Sequence, residues 1–479
     1  MEFTNPCPRL VLAGLSGGAG KTVVSLGICR AAVNAGMRVC PFKKGPDYID
    51  AHWLALAAKA TVSNLDPFLF AGSRIQELFH SRMRGHDLAI IEGNRGLFDG
   101  KDIVGSCSTA ELAKLLKAPV VMVIDCTKAT RTMAAIVTGC RMFDQALDLR
   151  GVILNRVAGS RHETIVRSSI EHYTDVQVMG ALPKMKANPI PERHMGLISH
   201  QEFAQTDHAL SQLADMIRDH LDLPALFSVA DTAAVALSPL SSASIFPPAV
   251  VPAESVTIGY IHDAALWFYY QENLNALEAA GARLVPLSLL DAAPWPALDG
   301  LYLGGGFPET MVQKLADTKM IRKRVQELST SGLPIYAECG GFIYLGQELV
   351  YEGSIYPLSG VFPVSTEFCS TPQGLGYVEG HVVEANPFYA VGTRLIGHEF
   401  HYSRSVTMTS QNLDLCLNMD RGQGVHDHHD MLLAHNTLAG YTHIHALSHP
   451  QWAEHFVKAA ITYQSHSRTK SSPCPPIRI

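Results

Sequence analysis

The stretch YAECGGFIYLG, residues 336–346, combines a nucleophilic side chain with a backbone that could present it. An apolar run typical of a strand ends at Glu338, and Cys339 is followed by two glycines that open a helical pattern. Small neighbours permit the sharp turn of a nucleophile elbow, and a helix N-terminus lowers the pKa of a thiol. The pattern therefore predicts that Cys339 is a reactive nucleophile rather than a structural cysteine.

A cysteine nucleophile also needs a base and hydrogen-bond donors for the oxyanion that forms. The segment LGGGFPE ends another strand-like run in glycines, and the predicted oxyanion donors are Gly305, Gly306 and Gly340. Further along, YTHIHALSHP offers three candidate bases: His443, His445 and His449. Together these segments predict a nucleophilic catalytic site in the second half of the chain.

A second motif, RLVLAGLSGGAGKTVVSLG, reads as a strand, a glycine-rich turn and a helix. Such a turn directs backbone N–H groups at a polyphosphate, its lysine bridges the β- and γ-phosphates, and its threonine ligates magnesium. The predicted nucleotide-binding residues here are Gly17, Gly18, Ala19, Gly20, Lys21 and Thr22. Leu15 stands where the first glycine of the usual spacing would be, and Gly14 lies one residue earlier, so the loop is a longer variant.

Polar residues at the ends of later strands should lie near this loop, because ligands bind at the carboxyl ends of parallel strands. Glu92, at the end of DLAIIEG, is the predicted carboxylate near magnesium. Asp125 and Asn155 end two further strands, and either a role in base recognition or an ordinary strand-end role fits them. PFKKGPDYID and EGNRGLFDG carry acidic residues in glycine-containing loops: Asp47, Asp50 and Asp99.

Size and composition set the frame for these motifs. A chain of 479 residues is too long for one core, and its net charge of -6 without a basic run excludes a nucleic-acid footprint. The apolar runs are strand-sized, so no membrane span is predicted. The first ten residues lack the basic region and apolar core of a secretory signal, and ten scattered cysteines without a CxxC pair fit reduced thiols. A cytoplasmic protein is predicted.

The order of patterns predicts two α/β domains, the first with a mostly parallel sheet. Short β-branched runs alternate with amphipathic stretches over residues 1–233, which form the predicted phosphate-loop domain. A stretch rich in Pro, Ser and Ala, 234–255, is the predicted linker, and a second α/β series occupies 256–465. Residues 466–479 are predicted to be a disordered tail.

The chain resembles the cobyrinic acid a,c-diamide synthases, which are glutamine-dependent amidotransferases of corrinoid biosynthesis. The resemblance covers nearly the whole chain to about residue 465. It rests on nine segments in family order: GAGKT, KGPDYID, EGNRGLFDG, PERHMGL, FYYQENL, LGGGFPE, AECGGFIYLG, GHEFHYS and YTHIH. It implies a phosphate-loop synthetase domain similar to dethiobiotin synthetase, joined to a class I glutamine amidotransferase domain of flavodoxin-like α/β fold.

The resemblance also implies an activity, ATP- and glutamine-dependent amidation of the a and c acetate groups of cobyrinic or hydrogenobyrinic acid through acyl phosphates. Cys339 would form a glutamyl thioester and release ammonia. The YxH spacing of related sequences selects His443 as the base, with His445 in reserve. No clear third acid is visible, which agrees with a Cys–His dyad. The implied partners are L-glutamine, ATP and a tetrapyrrole carboxylate; a homodimer is one open assembly.

In this scheme the implied cofactor beside ATP is Mg²⁺, with Thr22, Asp47 and Glu92 as its ligands. Asn155 would read the base. The residues expected around the tetrapyrrole carboxylate are Asp47, Tyr48, Asp50, Arg95 and Asp99. The carboxylates would repel a triphosphate unless a cation lay among them, and this clustering favours bound Mg²⁺.

Departures from the family pattern leave the substrate open. Asn94 and Arg95 replace the usual Val and Met, and Ala446 replaces the usual Phe. Arg95 could meet another carboxylate of a tetrapyrrole, so sirohydrochlorin and sirohaem stay alternatives. The cluster from His426 to Asp430 fits either a solvated loop or a metal site.

Two further classes of protein were weighed against the amidotransferase. A regulatory phosphate-loop ATPase with a non-catalytic binding domain would need a signature lysine where this chain has Ser16. A tetrapyrrole or cobalt carrier would not need Lys21 and Cys339. Both alternatives are therefore disfavoured.

Overall fold

The structure, a computed structural model, describes residues 7–185, 188–193, 196–197, 203, 205–233, 245–246, 255–408 and 414–471. The chain divides into two compact units, Met1–Ile245 and Phe246–Ile479. Each unit contains its own β-sheet with helices, so the predicted two-domain α/β class is confirmed.

The first unit alternates strands and helices. Its strands are β1 (Arg9–Gly14), β2 (Val39–Lys44), β3 (Ser63–Leu65), β4 (Leu88–Gly96), β5 (Val120–Asp125), β6 (Leu149–Val157), β7 (Gln177–Pro183), β8 (Glu192–Arg193) and β9 (Gly196–Leu197). Its helices are α1 (Lys21–Asn34), α2 (Ile49–Ala58), α3 (Gly72–Met83), α4 (Thr109–Leu115), α5 (Thr132–Phe143), α6 (Ser160–Tyr173), α7 (Thr206–His220) and α8 (Leu223–Asp231).

In the described part of this unit, seven strands form a sheet in the order β3-β2-β4-β1-β5-β6-β7. All of its strand pairs are parallel. The central strands are continuous apolar runs because both faces of the sheet are covered, and every residue of β1 is buried. Since β4 lies between β1 and β2 and all three strands are parallel, the loops that follow them are placed at one edge of the sheet.

The second unit has more strands. They are β10 (Val256–Ile261), β11 (Leu266–Phe268), β12 (Ala282–Leu287), β13 (Gly300–Leu303), β14 (Gly305–Gly306), β15 (Ile335–Glu338), β16 (Glu348–Tyr351), β17 (Ser354–Pro357), β18 (Val364–Phe368), β19 (Gly374–Val382), β20 (Arg394–His401), β21 (Ser403–Met408), β22 (Asp414–Arg421), β23 (His429–Ala434), β24 (Thr437–Gly440) and β25 (His443–Ile444). Its helices are α9 (Gln271–Ala279), α10 (Val312–Asp317), α11 (Lys319–Thr330), α12 (Gly340–Leu345) and α13 (Gln451–Ser471), with a 3₁₀ turn at Pro308–Met311.

The main sheet of this unit has a parallel half and an antiparallel half. Its order over the described residues is β12-β10-β13-β15-β24-β23-β22-β19-β20-β25. The pairs from β12 to β24 are parallel, and those from β24 to β25 are antiparallel. The antiparallel half folds back so that β25 pairs with β20. The parallel half follows the predicted α/β series, whereas the antiparallel extension was not predicted.

The predicted linker and the predicted tail lie largely outside the described residues. The predicted linker 234–255 lies outside the described residues except at 245–246 and 255. The predicted disordered tail begins at 466, but α13 continues to Ser471, so its first six residues are helical and 472–479 lie outside the described residues. Across the part of the chain that is described, no helix has the length and apolar character needed to cross a bilayer.

Candidate active sites

The glycine-rich loop joins β1 to α1, as the sequence predicts. Gly20 has φ 90°, and a Cβ there would lie 2.3 Å from the Asn155 amide nitrogen, so this position requires glycine. Asn155 Nδ2 donates to Ala19 O at 2.9 Å. In the structure Asn155 therefore supports the loop backbone, a role that the sequence did not suggest, while its role toward a nucleotide base stays a prediction.

Lys21 begins α1 and is only 8% exposed. Burial lowers the pKa of the Lys21 ammonium, and the carboxylates of Glu92, Asp50 and Asp99 act in the opposite direction. Lys21 and these three carboxylates therefore share one local electrostatic environment. These charged groups come from the start of α1, the start of α2, strand β4 and the loop after β4.

Thr22 connects the loop to two of these carboxylates. Its hydroxyl donates to Glu92 Oε1 at 2.8 Å and is 3.2 Å from Asp50 Oδ2. The second oxygen of Glu92 is buried without a hydrogen-bond partner. A buried acceptor without a hydrogen bond costs free energy, so Glu92 Oε2 is suited to accept a hydrogen bond or to bind a cation.

Lys43, at the end of β2, lies among the same carboxylates and is 2% exposed. Its ammonium is 2.8 Å from Asp50 Oδ2, 2.8 Å from Glu92 Oε1 and 3.5 Å from Asp47 Oδ2. Although burial opposes its charge, these carboxylates raise the pKa of Lys43 well above the usual value. Because Lys43 already supplies a cation, the clustering of these carboxylates does not by itself require a bound metal ion, and Mg²⁺ stays a prediction.

The loop after β2 is held in place by its own neighbours. Asp47 Oδ1 accepts from Asp50 N at 3.0 Å, and Asn64 Nδ2 donates to Gly45 O at 2.8 Å and Asp47 O at 2.9 Å. Burial and the adjacent Asp50 carboxylate raise the pKa of Asp47 to about 7. Tyr48 is buried at the start of α2, and its carbonyl accepts from the backbone of the following helix.

The loop after β4 comes close to the same edge. Asp99 Oδ2 accepts from Gly96 N at 2.8 Å, and a Cβ at Gly96 would lie 2.8 Å from Leu15 O. Asp99 is thus adjacent to the phosphate loop. Arg95 has φ 52° and its side chain is exposed.

Asp125, at the end of β5, forms an ion pair with Arg156 at 2.5 Å. This contact favours the interpretation of Asp125 as an ordinary polar residue at a strand end.

The second site is built at the end of β15. Cys339 has φ 48° and ψ −100°, a conformation that non-glycine residues rarely adopt, and α12 begins at the next residue. Cys339 N donates to Gly440 O at 2.7 Å, which ties the turn to β24. The strand, sharp turn and helix predicted for an elbow are therefore present, and the role of Cys339 as nucleophile stays a prediction.

The Gly340 N–H at the start of α12 does lower the pKa of the Cys339 thiol, as predicted, but larger effects act in the opposite direction. Burial, followed by the Glu309 carboxylate, raises the pKa of Cys339. Helix α12 has only six residues, and its dipole does not outweigh the loss of water around the sulfur. These effects favour the thiol over the thiolate, so formation of the nucleophile would depend on a nearby base.

The predicted oxyanion donors lie beside the elbow. A Cβ at Gly340 would be 2.9 Å from Gly306 N, so the two backbones approach as closely as glycine allows. Strand β14, which contains Gly305 and Gly306, pairs with β11 and is fixed by that pairing. The backbone of β14 thus lies next to the N-terminus of α12, and the role of these glycines as oxyanion donors stays a prediction.

His443 lies against this glycine strand. A Cβ at Gly305 would be 2.5 Å from His443 Cε1 and 3.2 Å from Nε2. On its other side, Nδ1 is 3.3 Å from Glu338 Oε2, and the His398 ring stacks on it with centroids 4.8 Å apart. The expectation that no acid accompanies the histidine is therefore wrong: Glu338 is a buried carboxylate at hydrogen-bond range.

His445 belongs to a neighbouring cluster. Its Nε2 is 3.6 Å from Glu272 Oε2, and its ring is 4.7 Å from that of Tyr270. Asn273 donates to Ile444 O at 2.9 Å and accepts from Ala446 N at 2.7 Å, and so clamps the backbone on both sides of His445. The segment FYYQENL thus positions the histidine segment.

His449 is the least suited of the three histidines to act as a base. Its Nε2 lies 2.8 Å from Ile396 O and 3.1 Å from Ile396 N, and burial lowers its pKa to about 4. These contacts hold β20 against the start of α13. His449 therefore has a structural role.

The segment from His426 to Asp430 does not form a metal site. His428 and His429 direct Nδ1 at backbone carbonyls 2.8 Å away. Asp430 is fully buried and accepts from Tyr441 N at 3.0 Å and from Thr442 N at 2.8 Å. Over the described residues, no group of three or more His, Cys, Asp or Glu could hold a metal ion. The solvated-loop reading fits the histidines, and Asp430 fixes the backbone before His443.

Three residues with clear contacts in these sites were missed by sequence reasoning: Lys43, Glu338 and Asn273. Each was visible as a polar residue inside an apolar or strand-like run, namely PFKK, LPIYAEC and FYYQENL. Polar residues in such positions are buried, and a buried charge requires a partner. That rule would have marked all three as members of a network.

Comparison with known proteins covers both sites. Residues 10–198 match the CobQ/CobB/MinD/ParA nucleotide binding domain, and residues 257–451 match the CobB/CobQ-like glutamine amidotransferase domain. The chain is 40% identical to the cobyrinate a,c-diamide synthase of Magnetococcus marinus, covering 93% of this chain and 96% of that protein. It is 38% identical to the enzyme of the same name from Archaeoglobus fulgidus, covering 95% and 98%.

Proposed function

The chain belongs to the cobyrinate a,c-diamide synthase family of glutamine-dependent amidotransferases, and we propose that it amidates the a and c acetate groups of cobyrinic or hydrogenobyrinic acid. One observation carries this proposal: a strained Cys339 elbow with His443 beside its glycine strand occurs in the same chain as an intact Gly20-Lys21-Thr22 loop. The first site makes ammonia and the second activates the carboxylate that receives it.

Cys339 and His443 perform the glutaminase reaction. His443 Nε2 removes the thiol proton while Sγ attacks the carboxamide carbon of glutamine, and N–H groups from Gly305, Gly306 and Gly340 stabilise the oxyanion. His443 then returns the proton to the departing nitrogen, which leaves as ammonia. Water attacks the resulting thioester, with His443 again as base, and releases glutamate.

The residues at the phosphate loop fit a magnesium nucleotide. The orphaned, buried oxygen of Glu92 and the Thr22 hydroxyl beside it are hard oxygen ligands of the type that Mg²⁺ takes. Mg²⁺ would neutralise charge on the transferred phosphoryl group. The Lys43 ammonium occupies part of the carboxylate cluster, so Asp47 is better placed to pair with Lys43 than to ligate metal, and Asp50 shares that ion pair.

Lys21 carries out the electrostatic part of the phosphoryl step. An acetate oxygen of the substrate attacks the γ-phosphorus of ATP, ADP leaves, and Lys21 stabilises the charge on the oxygens in transit. Ammonia then attacks the acyl phosphate, and inorganic phosphate leaves with the former carboxylate oxygen. Activation is required because a free carboxylate has no adequate leaving group. Residues at the edge that would surround this acetate are Tyr48, Arg95 and Asp99.

Mass spectrometry of the reaction products tests the proposal directly. The full chain is incubated with ATP, Mg²⁺ and glutamine together with cobyrinic acid, sirohydrochlorin or sirohaem. Two amidations of cobyrinic acid, with ATP consumed in step, are the expected result. Sirohydrochlorin and sirohaem are included because Arg95, which is exposed, stands where the family usually has Met and could contact another carboxylate of a tetrapyrrole. Amidation of one of them alone would contradict the cobyrinic acid assignment.

Asp99→Asn should reduce amidation on the order of 10²-fold while leaving glutamine hydrolysis unchanged, because the lost charge lies beside the phosphate loop. The amide can still accept from Gly96 N, so the turn is retained. Steady-state rates of both half-reactions provide the measurement, with Asp125→Asn as the matched strand-end control. Equal rates for Asp99→Asn and wild type would remove Asp99 from the synthetase site.

A further inference from the structure

A buried carboxylate immediately precedes the proposed nucleophile. Glu338 is 1% exposed, its Oε2 is 3.3 Å from His443 Nδ1, and its Oε1 accepts from Ile444 N at 3.2 Å. We propose that Glu338 is a positioning residue of the glutaminase, which fixes the ring of His443 and balances the charge that His443 acquires. This inference rests on the proposed roles of Cys339 and His443.

The orientation of the ring follows from contacts on its two sides. A carboxylate facing Nδ1 favours the tautomer with hydrogen on Nδ1, and in that tautomer Nε2 is the ring nitrogen that carries the lone pair. The position of a Cβ at Gly305 is 2.5 Å from Cε1 and 3.2 Å from Nε2, so the edge of the ring that carries Nε2 lies against the glycine strand beside the elbow. Glu338 thus selects both the tautomer and the direction in which the base acts.

The surroundings of His443 give this carboxylate its importance. Titratable groups approach His443 from two neighbouring strands: Glu338 from β15 and His398 from β20. The Tyr270 hydroxyl lies 3.4 Å from His398 Nδ1, and His445 is close enough to affect the pKa of His398. Burial and the other two histidines hold the pKa of His398 well below its usual value, so His398 stays neutral. Glu338 is therefore the group beside His443 that can stabilise an imidazolium in a dry site.

The chain supplies its own matched control. Glu272 is also 1% exposed, and its Oε2 is 3.6 Å from His445 Nε2, so it forms a second buried carboxylate–histidine pair, whose histidine is two residues after His443. The two pairs are alike in burial and chemistry but differ in which histidine they hold. Comparing them separates a positioning role at the base from the general cost of altering a buried carboxylate.

The experiment measures glutamine hydrolysis by full-length Glu338→Gln and Glu272→Gln across pH. Glutamine can still accept from Nδ1 but carries no charge, so kcat should fall about 10- to 100-fold for Glu338→Gln with little change in KM. Without the negative charge beside the ring an imidazolium is less favoured, so the acid limb of kcat/KM should move to lower pH. Glu272→Gln should keep the wild-type limb and a rate within a few-fold of wild type.

The outcomes separate this inference from the proposed function. Unchanged kcat and acid limb in Glu338→Gln would overturn it, as would the loss appearing in Glu272→Gln instead, which would make His445 the base. Hydrolysis that survives Cys339→Ala would overturn the proposed site itself. If Glu338→Gln does not fold, Glu338→Asp decides: its shorter carboxylate should lower kcat several-fold without moving the acid limb, and wild-type kcat would refute the proposal.

Discussion

Cys339→Ala should abolish glutamine-driven amidation, with glutamine hydrolysis reduced on the order of 10⁴-fold or more, while amidation from ammonium salts continues at close to the wild-type rate. Alanine retains the Cβ, so the strained turn at φ 48° is unchanged and only the thiol is lost. The contact of the sulfur with Phe400 O, at 3.9 Å, is weak, so the fold should not depend on it. Product formation is measured with each nitrogen donor.

Cys416→Ala is the matched control. Cys416 is a buried thiol of the same unit, in β22 and away from the elbow, so its replacement removes the same atom from a similar environment. It should leave both reactions within a few-fold of wild type. If Cys339→Ala retained glutamine-driven amidation, the elbow would not be the source of ammonia.

The sequence was sufficient for the parts of the fold that depend on short-range patterns. The phosphate loop and the elbow were both predictable because each consists of a strand, a small-residue turn and a helix that are contiguous in the chain. Parallel pairing of β1, β2 and β4 follows from βα alternation, and it explains why loops after these strands meet. The clustering of Asp50 and Glu92 was therefore predictable from the order of strands and helices.

What the sequence did not reveal were pairings between distant segments. Lys43 and Glu92 are 49 residues apart, and only their register across β2 and β4 shows that the lysine occupies the centre of the acidic cluster. Similarly, Glu338 and His443 are 105 residues apart and meet because β24 pairs with β15. A pattern within one segment contains no information about such a partner.

The thiol pKa shows a different limit. A helix N-terminus after Cys339 is visible in the sequence, but its effect competes with burial and with Glu309, which follows another strand. Burial depends on the packed structure, and it exceeds the effect of a six-residue helix. The elbow geometry was predictable, whereas the electrostatics of its sulfur were not.

Lys21→Ala should produce the reciprocal defect to Cys339→Ala. Amidation should fall on the order of 10²- to 10³-fold with either glutamine or ammonium salts, because the charge that stabilises the transferred phosphoryl group is lost. The fold should persist, since Lys43 still neutralises Asp50 and Glu92 at 2.8 Å. Glutamine hydrolysis should continue at its basal rate, because Lys21 and Cys339 belong to different units of the chain.

Parallel assays of Lys21→Ala, Cys339→Ala and wild type measure ATP consumption, glutamate release and amide formation in the same samples. Retained amidation in Lys21→Ala would exclude the glycine-rich loop from the synthetase reaction. Equal loss of amidation and hydrolysis would instead mean that the glutaminase works only when the phosphate loop is functional. In that case thermal unfolding of Lys21→Ala would still be close to wild type, because coupling between activities does not require loss of the buried Lys43 ion pairs.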